Sequence, residues 1–387
     1  MRLILHIGSS KTGTTTIQQF FCRNQRLLLK QGILYPVRMS HTAHHVLMPA
    51  SFVQKEKYNL PNNRFYMNNS DRFWSSFRAF WSSLMDDINK HKPHTVILSA
   101  ETLFHDFSTI SNRSFSEFLG QYFDDIQVIA YIRSPAPDYK SRVAQQIRTA
   151  KKILPPQVRP IKKIIEYFES EFPGKVRLYP FEKKQLIKGN VLKDFLVRNL
   201  PEALSLMGDR DAQFKNVALS PALLQRLQRL RLSVQPKGTL PNISTNALVV
   251  WYSDMWAKNY KELAGSESME LKFEIKEYLQ NSAIDYKWLR DKYSVNFNDL
   301  DYSKIEEKNN PFEKLNLLED IFDLNMPFDK GVRKLNVPTN KFVRLLITAR
   351  FIFKTQVTGM YRAHVAHAWL GKVKRGMFKC TSPSHVR

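Results

Sequence analysis

The sequence predicts an α/β protein of three layers, with a central five-stranded parallel sheet and a mainly helical C-terminal part. Three observations predict it. Short, near-continuous apolar runs alternate with amphipathic stretches through the first half of the chain. Gly32, Pro93 and Pro173-Gly174 punctuate the alternation as turn signals. The runs do not alternate apolar with polar residues, which is the pattern of strands covered on both faces.

Taken in order, the first strand is expected at 2–7 (RLILHI), too short and without the small-residue cleavage site of a signal peptide. A helical pattern over 14–30 leads to a strand at 32–36 (GILYP). Residues 40–70 then interrupt the rhythm with a polar, Asn- and His-rich stretch, and a long insertion after a strand of such a sheet is expected to be a substrate loop. A helix over 71–90 precedes the strand at 95–99 (TVILS). The strand at 126–132 (IQVIAYI) is followed by helices over 137–150 and 161–171, and the last strand falls at 175–179 (KVRLY). From about 190 the pattern is helical, through 220–233, 267–280 and 284–293. This organisation predicts one main domain over 1–300, a linker over 301–340 and a basic amphipathic extension over 341–387. No internal repeat is present.

Composition bounds the function. The 387 residues are 43% hydrophobic and include 26 Phe and 15 Tyr, enough for a sizeable core. No run reaches the ~20 apolar residues that span a bilayer. Two cysteines, Cys22 and Cys380, make no disulfide framework, which fits a reducing, cytoplasmic setting. The formal net charge of +24 calls for an anionic partner, whether nucleotide, acidic glycan, lipid headgroup or nucleic acid. From Gly331 onward there are 12 Lys plus Arg and no acidic residue, half of that net charge.

The strongest local signal is Gly8-Ser9-Ser10-Lys11-Thr12-Gly13-Thr14-Thr15, directly after the first strand and opening the first helix. A strand–loop–helix of this kind aims backbone N–H groups and a helix N-terminus at an anion. Gly13 lets the backbone approach a phosphate closely. Lys11 adds a charge, and Thr14 and Thr15 add hydroxyl donors. The plain alternative is an ordinary turn that happens to hold these residues. The two glycines have the spacing of a nucleoside-triphosphate P-loop, but Lys11 precedes the second glycine and Thr14 stands where the P-loop lysine belongs. A second anion site is expected where the fourth strand ends in Arg133-Ser134-Pro135-Ala136-Pro137-Asp138-Tyr139-Lys140-Ser141. An arginine fork at a strand's carboxyl end, with a hydroxyl near a helix start, can cradle a phosphate. Its plain alternative is a strand-end arginine paired with Asp124 or Asp125.

The displaced lysine resembles the 5′-phosphosulfate loop of the sulfotransferase superfamily, whose signature is close to K-x-G-T-T. His6-Ile7-Gly8 through Thr15 looks most like its bacterial members. Arg133 followed eight residues later by Ser141 is similar to the superfamily's 3′-phosphate motif. Weaker likenesses lie in Val176–Pro180, Leu186, Asp194-Phe195-Leu196 and Lys215–Ser220, so the resemblance covers about residues 1–300. It implies a P-loop-like sulfotransferase fold and transfer of a sulfuryl group from 3′-phosphoadenosine-5′-phosphosulfate (PAPS), as co-substrate and without a metal, to an acceptor hydroxyl. A glycan or glycolipid is the acceptor class it implies. In that reading Ser10, Lys11, Thr12, Gly13, Thr14 and Thr15 hold the 5′-phosphosulfate, and Arg133 and Ser141 hold the 3′-phosphate.

The chemistry needs in-line geometry, a base for the acceptor proton and charge for the developing anion. Lys11 suits the charge. His44, in His41-Thr42-Ala43-His44-His45, is the expected base, and Glu101 at the end of the third strand is its rival or support. Three histidines in five residues could also suggest a metal, but no Cys or carboxylate partners lie nearby. Two other classes compete. A nucleotide-dependent kinase wants an acidic strand end for Mg²⁺, where this chain has Arg133. A basic membrane- or nucleic-acid-binding protein fits the charge, but no nucleic-acid motif is apparent and no nucleic-acid partner is expected. Trp74, Phe77 and Trp81 are spaced for a helix core, with a sugar site as the lesser reading. The basic, aromatic stretch 341–378 is expected to touch anionic membrane, pack on the main domain, or meet an acidic acceptor.

Overall fold

The structure, a computed structural model, describes residues 1–9, 11–36, 70–104, 115–147, 152–208, 211, 221–234 and 269–323. Its centre is a five-stranded, wholly parallel sheet of β1 (Arg2–His6), β2 (Ile33–Leu34), β3 (Thr95–Ser99), β4 (Asp125–Ile132) and β5 (Val176–Pro180), in the order β2-β3-β1-β4-β5. The five strands stand where the apolar runs placed them, with β2 reduced to two residues.

The described helices are α1 (Thr14–Arg23), α2 (Gln25–Lys30), α3 (Ser70–His91), α4 (Phe115–Gly120), α5 (Pro135–Gln146), α6 (Ile161–Glu171), α7 (Val191–Asn199), α8 (Pro221–Val234), α9 (Phe273–Asn281), α10 (Ile284–Tyr293) and α11 (Leu318–Ile321). Strand side chains point to alternate faces, and both faces are covered. Ile4, Ile97, Ile129 and Tyr131 meet Ile17, Phe20 and Phe21 of α1, Leu28 of α2 and Phe195 of α7. Leu3, Leu5, Val96, Leu98, Val128 and Ile132 meet Leu84 of α3, Phe115 of α4, Ile165 and Phe168 of α6 and Leu289 of α10. Each such side chain contributes roughly 1.5–3 kcal/mol on burial. A third cluster lies beyond the sheet, where Tyr139 and Val143 of α5 pack on Leu224 and Leu227 of α8 and Ile275 of α9.

Three expectations are corrected. The helix over 14–30 is two helices, because Asn24 leaves helical geometry (φ −97°, ψ 12°) while its Nδ2 donates to the Phe20 carbonyl at 3.0 Å. Within 267–280, Glu270–Leu271 is a short strand, β6, paired antiparallel with β7 (Phe322–Asp323), and the helix begins only at Phe273. Of the stretch expected as a linker, residues 301–323 are described and pack, with Ile305, Leu318, Ile321 and Phe322 buried. Of the substrate loop expected over 40–70, all but Ser70, which opens α3, lies outside the described residues, as does the extension over 341–387. Among the described residues no helix is long and apolar enough to cross a membrane.

The topology positions the site. The chain leaves β1 for α1 on one face of the sheet, and after β4 it reaches α6 on the other. Neighbouring parallel strands whose connections part in this way open a crevice at their carboxyl ends, where such sheets bind ligands.

Candidate functional site

Among the described residues, the loop after β1 carries three in the left-handed region: Gly8 (φ 25°), Lys11 (φ 67°) and Gly13 (φ 79°). Lys11 is the unusual one, since a lysine gains nothing from positive φ and such backbone strain concentrates at functional sites. Positive φ at 11 and 13, with Thr12 between them, is the alternation that gathers N–H groups into a concavity for an anion. Thr12 is buried and shapes the turn, its hydroxyl donating to the Ser9 carbonyl at 2.6 Å. Gly13 is the N-cap of α1 and admits no side chain: a Cβ there would lie 2.6 Å from Val191 Cγ1 and 3.3 Å from Phe181 Cε2. The first turn of α1 has no acidic residue and no side-chain cap, so its N–H donors face outward with the positive end of the helix dipole. Lys11 and Thr15 are exposed there.

Thr14 is placed differently from expectation. It is buried, and its hydroxyl donates to Glu101 Oε2 at 2.7 Å. A hydroxyl has one proton to give, so in this arrangement Thr14 offers an anion its backbone N–H while its side chain ties the loop to β3. Glu101 opens a 3₁₀ turn (Glu101–Leu103) two residues beyond β3, and the structure thus brings the sequence-predicted carboxylate to the loop. Ser10 and His44 lie outside the described residues.

Below the loop is a buried polar network. His6 Nδ1 lies 2.8 Å from Ser99 Oγ, and Gln18 Nε2 donates to the same oxygen at 3.0 Å. Burial lowers the His6 pKa to about 3, so this imidazole is neutral. Its Nε2 lies 2.9 Å from where a Cβ on Gly8 would stand, which leaves glycine as the residue that fits above it.

Arg133 follows β4 at the carboxyl edge. The pairing with Asp124 or Asp125 does not occur: Asp125 opens β4 and pairs with Lys175 at 2.9 Å, and Asp124 pairs with the Met1 nitrogen. Eight strand residues, about 26 Å at the usual rise, separate that end of β4 from Arg133. Instead the guanidinium lies over the Phe181 ring, 4.9 Å from its centroid. The Arg133 carbonyl accepts from the buried Tyr286 hydroxyl at 2.8 Å. Burial pulls the Arg133 pKa below its ordinary value and Asp138 opposes that pull. Ser134 caps α5 in position only, since its hydroxyl donates to Asp299 Oδ2 at 2.9 Å. Pro135 and Pro137 both fall in the first turn, so α5 starts two residues earlier than predicted and Ser141, half-buried, stands nearly two turns inside it.

Sequence reasoning missed Phe181 and a charge cluster around Asp138. Asp138, 4% exposed, binds Arg142 Nε at 2.8 Å and Arg159 Nη2 at 3.2 Å, side chains that are 16% and 10% exposed. With Arg133 these make three guanidiniums near the start of α5 against two carboxylates, Asp138 and the Asp299 that meets Ser134. Phe181 had a readable signal, as the first residue after an apolar strand at the ligand-binding edge. The Asp138–Arg142 spacing is an ordinary helix pair, and only the fold brings Arg159 to it. Trp81 packs in the core against Phe118 and Tyr122, as its helical spacing favoured; the side chains of Trp74 and Phe77 lie outside the described residues.

No protein-family model matches this sequence, and no curated protein matches it. Among solved structures, a sulfotransferase from Alicyclobacillus acidocaldarius is similar at a TM-score of 0.35 and 13% identity, over 76% of this chain and 96% of that one. A retinol dehydratase in complex with androsterone and inactive cofactor PAP is similar at a TM-score of 0.23 and 10% identity, over 67% of this chain and 80% of that one.

Proposed function

We propose that this chain is a sulfotransferase that moves the sulfuryl group of PAPS to a hydroxyl of a glycan or glycolipid. The observation that carries the reading is the juxtaposition of two anion-binding stretches, Gly8–Thr15 and Arg133–Ser141, at the carboxyl ends of the adjacent parallel strands β1 and β4. A nucleotide with phosphates at both its 5′ and 3′ positions needs two such sites, and a nucleoside triphosphate needs one. The cradle at Gly13, closed to any side chain, and the uncapped first turn of α1 fit the 5′ group. Arg133, with the excess charge around Asp138, fits the 3′-phosphate.

In this reading the acceptor oxygen attacks sulfur in line, the bond from sulfur to the bridging phosphate oxygen breaks, and 3′,5′-bisphosphoadenosine (PAP) leaves. Lys11 and the N–H groups of the loop take up the charge that gathers on the bridging and transferred oxygens. Glu101 holds Thr14, and so the loop, against β3. His44 receives the acceptor proton, supported by Glu101.

Thermal unfolding with PAP, and separately with ATP and Mg²⁺, tests the class. A ligand at 100 times its dissociation constant adds about 2.7 kcal/mol to stability. A melting temperature raised by PAP without metal is the expected result. A rise with ATP and Mg²⁺ alone overturns the reading in favour of phosphoryl transfer.

A further inference from the structure

Phe181 stands between the two anion-binding stretches and touches both. One edge of its ring, Cε2, lies 3.3 Å from the point a Cβ on Gly13 would occupy. Its face carries the Arg133 guanidinium at 4.9 Å from the centroid. The backbone is fixed as closely: the Phe181 N–H donates at 2.6 Å to the carbonyl of Ile132, the residue directly before Arg133. The ring therefore lies where the segment after β5, the end of β4 and the loop that follows β1 come together. Val191 at the start of α7 crowds the same Cβ position, with its Cγ1 at 2.6 Å. Gly13 thus meets a ring and an aliphatic side chain, and the ring meets an arginine.

We propose that Phe181 is a positioning residue that couples the two phosphate subsites, so that engagement of Arg133 organises the Gly13 loop and engagement of the loop organises Arg133. This rests on the function proposed above and deepens it. The physical basis is local. A guanidinium on an aromatic face is attracted to it and restrained in its plane, while the opposite constraint on the ring is contact with a glycine that has no room to give. An arginine drawn toward a phosphate shifts the ring it lies on, and the ring shifts the backbone at the N-cap of α1. Coupling between two sites needs a contiguous physical connection with differential contacts at each end, and this is one side chain long.

A double-mutant cycle on PAP affinity tests it. In the wild-type background the combined loss in Lys11→Ala/Arg133→Ala is expected to fall short of the product of the single losses by fivefold or more. In a Phe181→Leu background the losses are expected to multiply to within twofold. If the ring acts on the ligand alone, Phe181→Leu weakens all four proteins by one factor and leaves the wild-type coupling intact, which overturns the proposal. Failure of wild-type protein to bind PAP at all belongs to the function above, and a ligand-free measurement separates the two. Amide exchange in the peptide covering residues 8–17 is expected to accelerate at least threefold on Arg133→Ala, and to show no further change on that substitution once Phe181 is leucine. Should Phe181→Leu fail to unfold cooperatively, Arg133→Lys keeps the charge and loses the planar face. Loop exchange accelerated as in Arg133→Ala supports the coupling, and exchange at the wild-type rate overturns it.

Discussion

The hydroxyl of Thr14 donates to Glu101 Oε2 at 2.7 Å, which joins the first residue of α1 to the turn beyond β3. Thr14 is buried, so removal of its hydroxyl leaves the carboxylate without a donor that water does not readily replace. A hydrogen bond to a charged group contributes about 1.5–3 kcal/mol. Thr14→Val is therefore expected to lose that much stability in denaturant unfolding. Glu101→Gln keeps a neutral acceptor and is expected to lose about 1 kcal/mol or less. Equal losses in the two variants would show that the charge on Glu101 adds nothing to the link.

Lys11 and Arg133 grip different ends of the proposed ligand, and their variants are expected to differ in kind. Arg133→Ala acts on a phosphate remote from the transferred group. It is expected to weaken PAP binding roughly 30- to 100-fold, the equivalent of losing an arginine–phosphate fork, with turnover at saturation reduced less than in Lys11→Ala. Lys11→Ala is expected to weaken PAP by about tenfold and to depress turnover further, because its charge is needed most in the transition state. Calorimetry and single-turnover rates check both. PAP affinity unchanged in the two variants rules out the two-phosphate arrangement.

Much of this was legible because it depends on local pattern. A parallel strand buried on both faces is an unbroken apolar run, and so all five were readable, as was the placement of Gly13 and Arg133 at the ends of two of them. What was not legible depends on contacts between distant segments. Glu270–Leu271 reads as helix because its strand partner, Phe322–Asp323, comes 52 residues later in the chain. The Thr14 hydroxyl reads as an anion ligand until the fold brings Glu101 to it across 87 residues. Phe181 has no motif beyond its place directly after β5, since its role comes from meeting both Arg133 and the Gly13 loop. The Asn24 break is an intermediate case, because an asparagine inside a helical pattern also occurs in unbroken helices.

Asp138 binds both Arg142 and Arg159, and all three side chains are mostly buried. Asp138→Asn keeps the shape and removes the charge, so both guanidiniums lose the carboxylate that they share in a poorly hydrated place. Loss of one partner from a buried ion pair typically costs 3–5 kcal/mol. A loss of that size is expected in chemical denaturation. PAP affinity in the surviving folded protein is expected to stay level or rise, because the site becomes more positive. A loss below 1 kcal/mol would show that solvent reaches both arginines.

His6 links stability to pH. Burial holds its pKa at about 3, against 6.5 for the free side chain. Between those values the unfolded chain binds a proton that the folded chain excludes, so stability rises with pH across the window and falls as the pH drops through it. The slope is about 1.4 kcal/mol per pH unit for one proton. The contribution is fully present above pH 6.5 and lost progressively toward pH 3. His6→Gln is expected to flatten the dependence of unfolding free energy on pH between 6 and 4 by one proton. An unchanged slope in that variant would place the titration elsewhere.

The base for the acceptor proton is decided by turnover measured together with binding. General-base catalysis is worth roughly 10²–10⁴ in rate, and a neutral imidazole serves it near pH 7. His44→Ala is expected to lose turnover by that factor while PAP affinity stays within about twofold, and the acidic limb of the pH–rate profile near neutrality should vanish with it. Glu101→Gln keeps an acceptor for Thr14 and is expected to lose less, since in this assignment its carboxylate holds the loop and takes no proton from the acceptor. The opposite pattern, with Glu101→Gln inactive and His44→Ala near wild type, makes the glutamate the base. Its bond to Thr14 would then be a contact that must open before the acceptor binds.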